Sequence, residues 1–393
     1  MDIAHIPARR LTPAGEHWFF GYYDIPGFSR DGKKHLCHRV PFFDRLQTKD
    51  DVAELCIIDI ESGKAEPFST TRAWNFQQGS MLQWHPTKEN TVIHNDWRDG
   101  RYVGVERDMT TGKERLYERP VTNVSPAGTH ALSVNFDRMF DFRPGYGYCQ
   151  QKDLLAGVNV PRDDGVWLVD LATGKAKLTI PYTAMMELLG APEGDPEPKL
   201  LINHITFNTD GTRFVFLVRN FPRPEGHWRT ALLTADTDGG GLFKLAGWHY
   251  ASHYHWRDPE VVTFHSGGAE LGMLGPQLYE LVDRTHAGRA IDPGFFLRDG
   301  HNSYSPDREF MLYDSYPDRA DLRHLYLYHL KHGRGALLGS FLSLPEITGD
   351  IRCDLHPLWS PCGKRFSFDS IHEGYRGLYL MDVAGAMEKL SEK

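Results

Sequence analysis

One pattern recurs seven times along the chain: a tight turn of the form S-P-x-G, or a close variant of it, followed directly by a short run of β-forming residues. The turns and their β runs lie at 28–40, 84–96, 124–136, 207–219, 256–266, 304–315 and 359–370. A second β-forming segment follows each copy. Several of these segments contain D-x-x-T/S-G-K, which is typical of a hairpin turn with glycine at the position that needs a positive φ. Each repeat therefore predicts two hairpins, which together form a four-stranded antiparallel sheet.

Seven such sheets predict an all-β fold, a seven-bladed β-propeller. The 393 residues give a mean of about 56 per repeat, slightly more than the ~40–50 of familiar propeller repeats. The seventh repeat ends after its third strand, and the N-terminal sequence ARRLT is typical of a fourth strand. We therefore expect an N-terminal strand to close the ring and cover an exposed sheet edge.

Two insertions, 137–164 and 181–200, interrupt the repeat, and the second is predicted to contain one short helix. No segment rich in proline, glycine or serine divides the chain, so residues 1–393 are predicted to form a single domain.

The charge balance argues against two classes of partner. Lysine and arginine number 44 against 52 aspartates and glutamates, and the basic residues are scattered. This pattern disfavours nucleic acid and acidic membrane surfaces as partners. The sequence contains neither a run of ~18 apolar residues nor a pattern typical of a signal peptide, so we expect a cytoplasmic protein. The five cysteines form no C-x-x-C pair and are predicted to be reduced thiols without a zinc site.

Histidines recur at one register of the repeat. Four consecutive repeats place a histidine four residues before the turn, namely His204, His253, His301 and His356. The innermost strand of a propeller blade begins, and the second strand ends, at the same face near the axis. Further polar residues predicted at that face are Arg39, Asp96, Arg219, His265, Asp314, Asp369, Tyr22, Tyr23, Asp24, Gln77, Gln78, His255 and Asp354. This convergence predicts a polar ligand pocket at the mouth of the channel. The alternative is a set of capping hydrogen bonds between neighbouring blades.

Two kinds of chemistry suit such a pocket. Imidazoles with a carboxylate are competent ligands for Mn, Fe, Ni or Zn. Alternatively, a neutral histidine or a tyrosine acts as a general base while Arg219 neutralises a substrate anion. Asp354 and His356 are two residues apart, so an extended strand would direct both side chains to one face.

The motifs GHNSYSPD (300–307), DLHPLWSPCG (354–363) and NHITFNTDG (203–211), together with Arg219, resemble those of the oligogalacturonate lyases. These are cytoplasmic seven-bladed propellers of pectin breakdown. The resemblance covers the whole length in architecture and is most specific over about 200–383. It implies a lyase that cleaves a small anionic oligosaccharide containing uronic acid by β-elimination. It also implies a divalent metal cofactor, typically manganese.

Matched by motif, the resemblance implies that His301 and His356 are metal ligands. Asp354 stands where the family has a further ligand histidine, and we assign it to the metal as well; Ile351 stands where the family has a ligand glutamine. Arg219 is expected to bind the substrate carboxylate and His253 to act as base. The other residues predicted to take part in catalysis are His204, Tyr22, Tyr23 and Tyr146, and those predicted to bind substrate are Arg39, Gln78, His255 and Asp96.

Two other function classes remain open on the sequence alone. A glycoside hydrolase on the same fold would need two carboxylates placed across a sugar ring, and several aspartates of the predicted face are available for this. A non-catalytic propeller would bind a sugar or a protein without a metal. The fold alone does not distinguish the lyase, the hydrolase and the binding protein, because propellers support many functions.

Overall fold

The computed structural model describes residues 6–222, 227–267 and 275–392 and contains seven antiparallel sheets, the blades of a seven-bladed β-propeller. Six sheets have four strands, and the sheet of blade 3 has three. The predicted fold is therefore confirmed. In blade 3 the innermost strand is reduced to a single bridge between Val124 and Ala131.

The strands follow one another through the blades in chain order. A short first strand, β1 Arg9–Arg10, precedes blade 1. Blade 1 contains β2 His17–Phe19, β3 Lys34–Val40, β4 Ala53–Asp59 and β5 Ala65–Thr71. Blades 2 and 3 contain β6 Gln83–Trp84, β7 Thr91–Arg98, β8 Arg101–Asp108, β9 Glu114–Tyr117, β10 His130–Ser133, β11 Gly165–Asp170 and β12 Ala176–Pro181. Blades 4 and 5 contain β13 Leu200–Phe207, β14 Arg213–Asn220, β15 Thr230–Asp236, β16 Phe243–His249, β17 Ala251–Trp256, β18 Val261–Ser266, β19 Gln277–Val282 and β20 Gly288–Ala290. Blades 6 and 7 contain β21 Asn302–Tyr304, β22 Phe310–Asp314, β23 Leu322–His329, β24 Arg334–Leu342, β25 Leu358–Trp359, β26 Arg365–Ser370 and β27 Gly377–Asp382.

The chain divides into two compact units. The first unit comprises Met1–Trp84 and Gly294–Lys393, and the second comprises His85–Pro293. In the described part of the chain three short α-helices lie outside the sheets, α1 Phe136–Phe142, α2 Tyr182–Leu189 and α3 Ala384–Ser391. Helix α2 occupies the insertion for which the sequence predicted one helix. No helix within the described ranges has the length and apolar character needed to span a bilayer.

The N-terminal strand closes the ring in the first unit, as the sequence predicted. Strand β1 pairs antiparallel with β27, with Arg9 opposite Leu380 and Arg10 opposite Tyr379. The ladder continues when the N–H of Leu11 donates to the carbonyl of Leu378 at 2.8 Å. This pairing removes the open edge that a three-stranded seventh blade would otherwise present.

A tryptophan at one register of the repeat links neighbouring blades. Trp84, Trp256 and Trp359 are all buried, and the indole N–H of each donates to a backbone carbonyl of the preceding blade. The acceptors are Gly27, Thr206 and Ser303, at 3.0 to 3.2 Å. The indole thus fills apolar volume between blades and satisfies its donor at the same time.

Helix α1 of the second unit contains a buried acid with an altered pKa. Burial raises the pKa of Asp137 to about 7, although Gln151 donates a hydrogen bond to its Oδ2 at 2.6 Å. Because the folded chain holds this proton more tightly than the unfolded chain, stability falls as the pH rises from about 4 to about 7. We expect Asp137→Asn to increase the free energy of unfolding at pH 8, by up to about 4 kcal/mol, and to change it little at pH 4. Urea unfolding at both pH values checks this, and equal effects at the two would contradict it.

Candidate functional site

The first unit holds His301 in a fixed orientation through Asp314. His301 precedes β21, and Asp314 is the last residue of the adjacent strand β22. The backbone N–H of His301 donates to Asp314 Oδ1 at 2.6 Å, and its Nδ1 lies 3.0 Å from both carboxylate oxygens. The pKa of Asp314 is lowered, because its interactions with His301 outweigh the opposing effect of burial. Asp314 is therefore a carboxylate that only accepts, so Nδ1 of His301 carries a proton and Nε2 is the ring nitrogen left to act as a ligand.

Gly300 permits the segment before β21 to approach the end of β22 closely. A Cβ built on Gly300 would lie 1.8 Å from the carbonyl oxygen of Asp314, a distance that no side chain tolerates. The absence of a side chain at 300 thus lets the next residue, His301, contact the carboxylate of Asp314 through both its N–H and its ring.

His356 lies against His301 in the same unit. The two Nε2 atoms are 3.2 Å apart, and the N–H of His356 donates to Asp314 Oδ2 at 3.1 Å. Asp314 therefore holds the ring of His301 and the backbone of His356. His356 has a positive φ of 45°, a conformation that few residues other than glycine adopt. Burial and the neighbouring His301 hold the pKa of His356 well below its usual range, so the ring is neutral at physiological pH.

Asp354 completes a group of three potential ligands. One ligand atom each from His301, Asp354 and His356 lies within 4.8 Å of the other two, and all three residues are buried. Arg323 and Arg352 each contact the Asp354 carboxylate at 2.7 Å. These ion-pair contacts are not aligned as hydrogen bonds, and both oxygens of Asp354 lack a hydrogen-bond donor among the described residues. The carboxylate therefore retains lone pairs for a further partner.

Two arginines stabilise the charged form of Asp354. Burial alone would raise the pKa of Asp354, but the positive charges of Arg352 and Arg323 outweigh it and hold the pKa well below the usual range. Two carboxylates, of Asp314 and Asp354, balance these two guanidinium groups. The four side chains therefore carry no net charge.

The donor set fits a divalent transition metal. Two Zn–N bonds of ~2.0–2.1 Å that meet at ~90–110° place their nitrogens roughly 2.9–3.4 Å apart. The Nε2 atoms of His301 and His356 are 3.2 Å apart, within this range. A histidine whose other nitrogen donates to a carboxylate, as His301 does to Asp314, is the usual arrangement of an imidazole ligand.

Aromatic side chains of the chain before β3 cover this group. The Tyr23 ring centroid lies 4.9 Å from that of His301, and the Tyr22 centroid lies 5.3 Å from that of His356. Both tyrosines are buried. Asp369 anchors the preceding residues, because its carboxylate accepts the N–H groups of Phe20 at 2.9 Å and Gly21 at 3.1 Å. Two of the tyrosines predicted from the sequence thus lie beside the three potential metal ligands.

In the second unit, His204 and His253 lie together, with ring centroids 6.4 Å apart. His204 lies at a register shift in β13 and has a φ of 55°; a register shift in β17 includes His253. Such β-bulges change the direction of a side chain relative to the regular alternation of a strand. The Tyr146 ring lies 5.4 Å from that of His204.

Arg219, at the end of β14, is buried and donates to Asn203 Oδ1 at 3.2 Å. Its guanidinium carbon lies 6.0 Å from the Trp228 ring, and that of Arg143 lies 5.8 Å from the same ring. A basic and aromatic cluster therefore adjoins the end of β14.

The four residues predicted to bind substrate have other contacts. Arg39 pairs with Glu54 and Glu16 and lines a separate pocket of about 580 Å³ in the first unit. Asp96 pairs with Arg98, and His255 Nδ1 lies 2.8 Å from the carbonyl oxygen of Trp256. The N–H of Gln78 donates to Asn75 Oδ1 at 2.7 Å. Their predicted roles in substrate binding stay predictions.

Sequence reasoning missed Arg323 and Arg352 and assigned Asp314 no specific role. The signal for Arg352 was its position two residues before Asp354, because residues two apart share a face wherever the chain is extended. Arg323 lies on β23, the third strand of blade 6, and contacts Asp354 from there. The repeat alignment gave no reason to expect a buried guanidinium at that position.

No protein-family model matches the sequence, and no curated protein is similar enough in sequence to match it. Solved structures do match. An oligogalacturonate lyase in complex with manganese superposes with a TM-score of 0.67 and 17% identity, over 98% of this chain and 97% of that one. An oligogalacturonate lyase from Vibrio parahaemolyticus gives 0.67 and 16%, over 97% and 94%. The β-propeller domain of the Trilobed protease from Pyrococcus furiosus gives 0.52 and 10%, over 93% and 96%. The chain is thus similar in fold, over nearly its whole length, to oligogalacturonate lyases, as its motifs indicate.

Proposed function

We propose that the protein is a metal-dependent lyase that cleaves a uronic-acid-containing oligosaccharide by β-elimination. The observation that carries this proposal is the buried group of His301, Asp354 and His356, with the proton of His301 directed to Asp314. Support comes from the fold, since two solved structures with a TM-score of 0.67 are oligogalacturonate lyases and one of them contains manganese.

The difficult step of such a reaction is removal of the weakly acidic proton at C5 of the uronate. A divalent cation at the three ligands would supply positive charge to the substrate carboxylate, where negative charge develops as that proton leaves. Asp314 orients the ring of His301 through its Nδ1, and the carboxylates of Asp314 and Asp354 together offset the charges of Arg323 and Arg352. Because these four side chains sum to no net charge, the group does not repel an anionic substrate.

We assign the base to His253 and carboxylate binding to Arg219, with Tyr22, Tyr23 and Tyr146 as alternatives for the acid. In the proposed reaction the base takes the C5 proton, a C4–C5 double bond forms, and the C4–O bond breaks. The acid then donates a proton to the departing oxygen of the neighbouring sugar. His204 lies beside both His253 and Tyr146, and we assign it to positioning them.

Elimination has a direct signature that tests the proposal. We expect the protein supplied with Mn²⁺ to convert uronate oligosaccharides to products with an ultraviolet absorbance from the new double bond. Loss of a general base typically costs 10²–10⁴-fold, so His253→Ala should reduce kcat by about that factor. His324→Ala, on β23 and paired with Asp318, is the control and should leave kcat unchanged.

New reducing ends without ultraviolet absorbance would contradict the proposal and indicate a glycoside hydrolase. Saccharide binding with neither signal would also contradict it, and would indicate a propeller that binds without catalysis.

A further inference from the structure

We infer that a pocket of about 610 Å³ in the second unit binds a neutral sugar unit adjacent to the uronate that is cleaved. The inference rests on the proposed function for the identity of that neighbouring uronate. Nine of the described residues line the pocket, namely Glu193, Gly194, Asp195, Asn220, His227, Trp228, Arg229, His249 and Tyr250.

The pocket contains the two exposed aromatic side chains of the described ranges. Trp228 is 44% exposed and Tyr250 is 47% exposed, whereas every other Trp, Tyr and Phe there is buried or half-buried. An exposed aromatic face is costly to leave in water and is typical of a binding surface. The C–H faces of a sugar ring pack on such a face, while the sugar hydroxyls need polar partners at its edge.

Those polar partners are already in place. Asn220 Nδ2 donates to Asp195 Oδ2 at 2.9 Å, and Asn220 Oδ1 accepts the N–H of Arg229 at 2.6 Å. Asp195 is buried, and its N–H donates to the carbonyl of Pro192 at 3.0 Å. Nearby, the indole of Trp248 donates to Gly190 at 2.8 Å and ties the end of α2 to β16. These hydrogen bonds therefore fix the segment that contains Asp195 in the absence of a ligand.

The distribution of charge selects the kind of sugar. Among the described residues, two carboxylates, of Glu193 and Asp195, line the pocket against one guanidinium, of Arg229. A uronate carboxylate placed there would meet a buried like charge, whereas hydroxyls can donate to Asp195. Within the described part of the chain, Arg143 and Arg219 also lie near Trp228, with guanidinium carbons 5.8 and 6.0 Å from its ring centroid, and neither lines the pocket. A uronate therefore fits the arginine side of Trp228, and a neutral sugar fits the pocket side.

Binding calorimetry in the presence of a chelator tests this inference without turnover. The probes are digalacturonate and disaccharides that join galacturonate to a neutral hexose in both orders. We expect one mixed disaccharide to bind more tightly than digalacturonate, and Trp228→Ala to weaken its binding about five- to tenfold. Trp228→Phe should restore most of the affinity. Leu337→Ala, a similarly exposed position in the first unit, is the control.

Equal affinities for the mixed and homogeneous disaccharides, or a Trp228→Ala variant that binds both as the wild type does, would overturn the inference whatever the enzyme activity. Conversely, Trp228-dependent binding of the mixed disaccharide supports the sugar site even if no elimination is observed. The failure of the proposed function is thereby distinguished from the failure of this inference.

Discussion

Replacing both His301 and His356 with alanine is expected to abolish stoichiometric binding of Mn²⁺ and to remove elimination with it. The two imidazoles supply two of three ligands, and Asp354 alone, engaged by two arginines, is a weak site for a divalent ion. Metal analysis after dialysis against Mn²⁺, Fe²⁺, Ni²⁺ or Zn²⁺ measures the loss. A single Asp314→Asn substitution should weaken binding about 10–100-fold, because it removes only the group that orients the ligands.

A buried histidine outside the group provides the matched control. His35 is fully buried in the same unit, with its ring nitrogens on Leu36 O and Ser367 Oγ. His35→Ala should lose stability yet retain the metal, and circular dichroism of each variant checks that the fold persists. Retention of stoichiometric metal by the double variant, or no binding of any of the four ions by the wild-type chain, would rule out the proposed ligand set.

Asp354→Asn is expected to lower the free energy of unfolding by about 3–5 kcal/mol, because it removes the carboxylate charge that two buried guanidinium groups contact. Arg323 and Arg352 both contact this carboxylate, and both are buried. The substitution keeps the size of the side chain, so the effect reports charge rather than packing. Chemical denaturation at neutral pH, without metal, gives the measurement.

A second substitution separates charge balance from other effects. Asp354→Asn combined with Arg352→Gln leaves one unpaired guanidinium fewer, so the double variant should be more stable than Asp354→Asn alone.

Because the pKa of Asp354 is held well below its usual range, the stability it provides is present above pH ~4 and is lost as the pH falls toward the folded-state pKa. A variant as stable as the wild type at neutral pH would show that Asp354 does not neutralise the arginines.

The repeat allowed the fold to be predicted because each turn and each β run is a local signal. The same periodicity aligned His204, His253, His301 and His356, and it placed the N-terminal strand opposite the third strand of blade 7. The periodicity of the repeat could not predict which carboxylate orients which histidine. Asp314 is one of several aspartates at the ends of second strands, and only its position across from Gly300 and His301 distinguishes it.

The buried arginines are the other part that the sequence did not predict. Arginine on a strand is usually exposed, so Arg323 on β23 gave no sign that it pairs with a carboxylate of the next repeat. Likewise, the exposed Trp228 and Tyr250 lie in segments without the repeat pattern, and their common pocket appears only in three dimensions.

The left-handed backbone at His204 and His356 limits how these positions can change during evolution. Asparagine, aspartate and histidine tolerate a positive φ better than other residues with side chains, and glycine adopts it freely. A descendant that abandons the present chemistry can therefore replace these histidines with asparagine, aspartate or glycine at little cost to folding, whereas valine or isoleucine would strain the chain. Among related sequences, an asparagine or glycine at these two positions would mark lineages that kept the propeller and gave up its imidazoles.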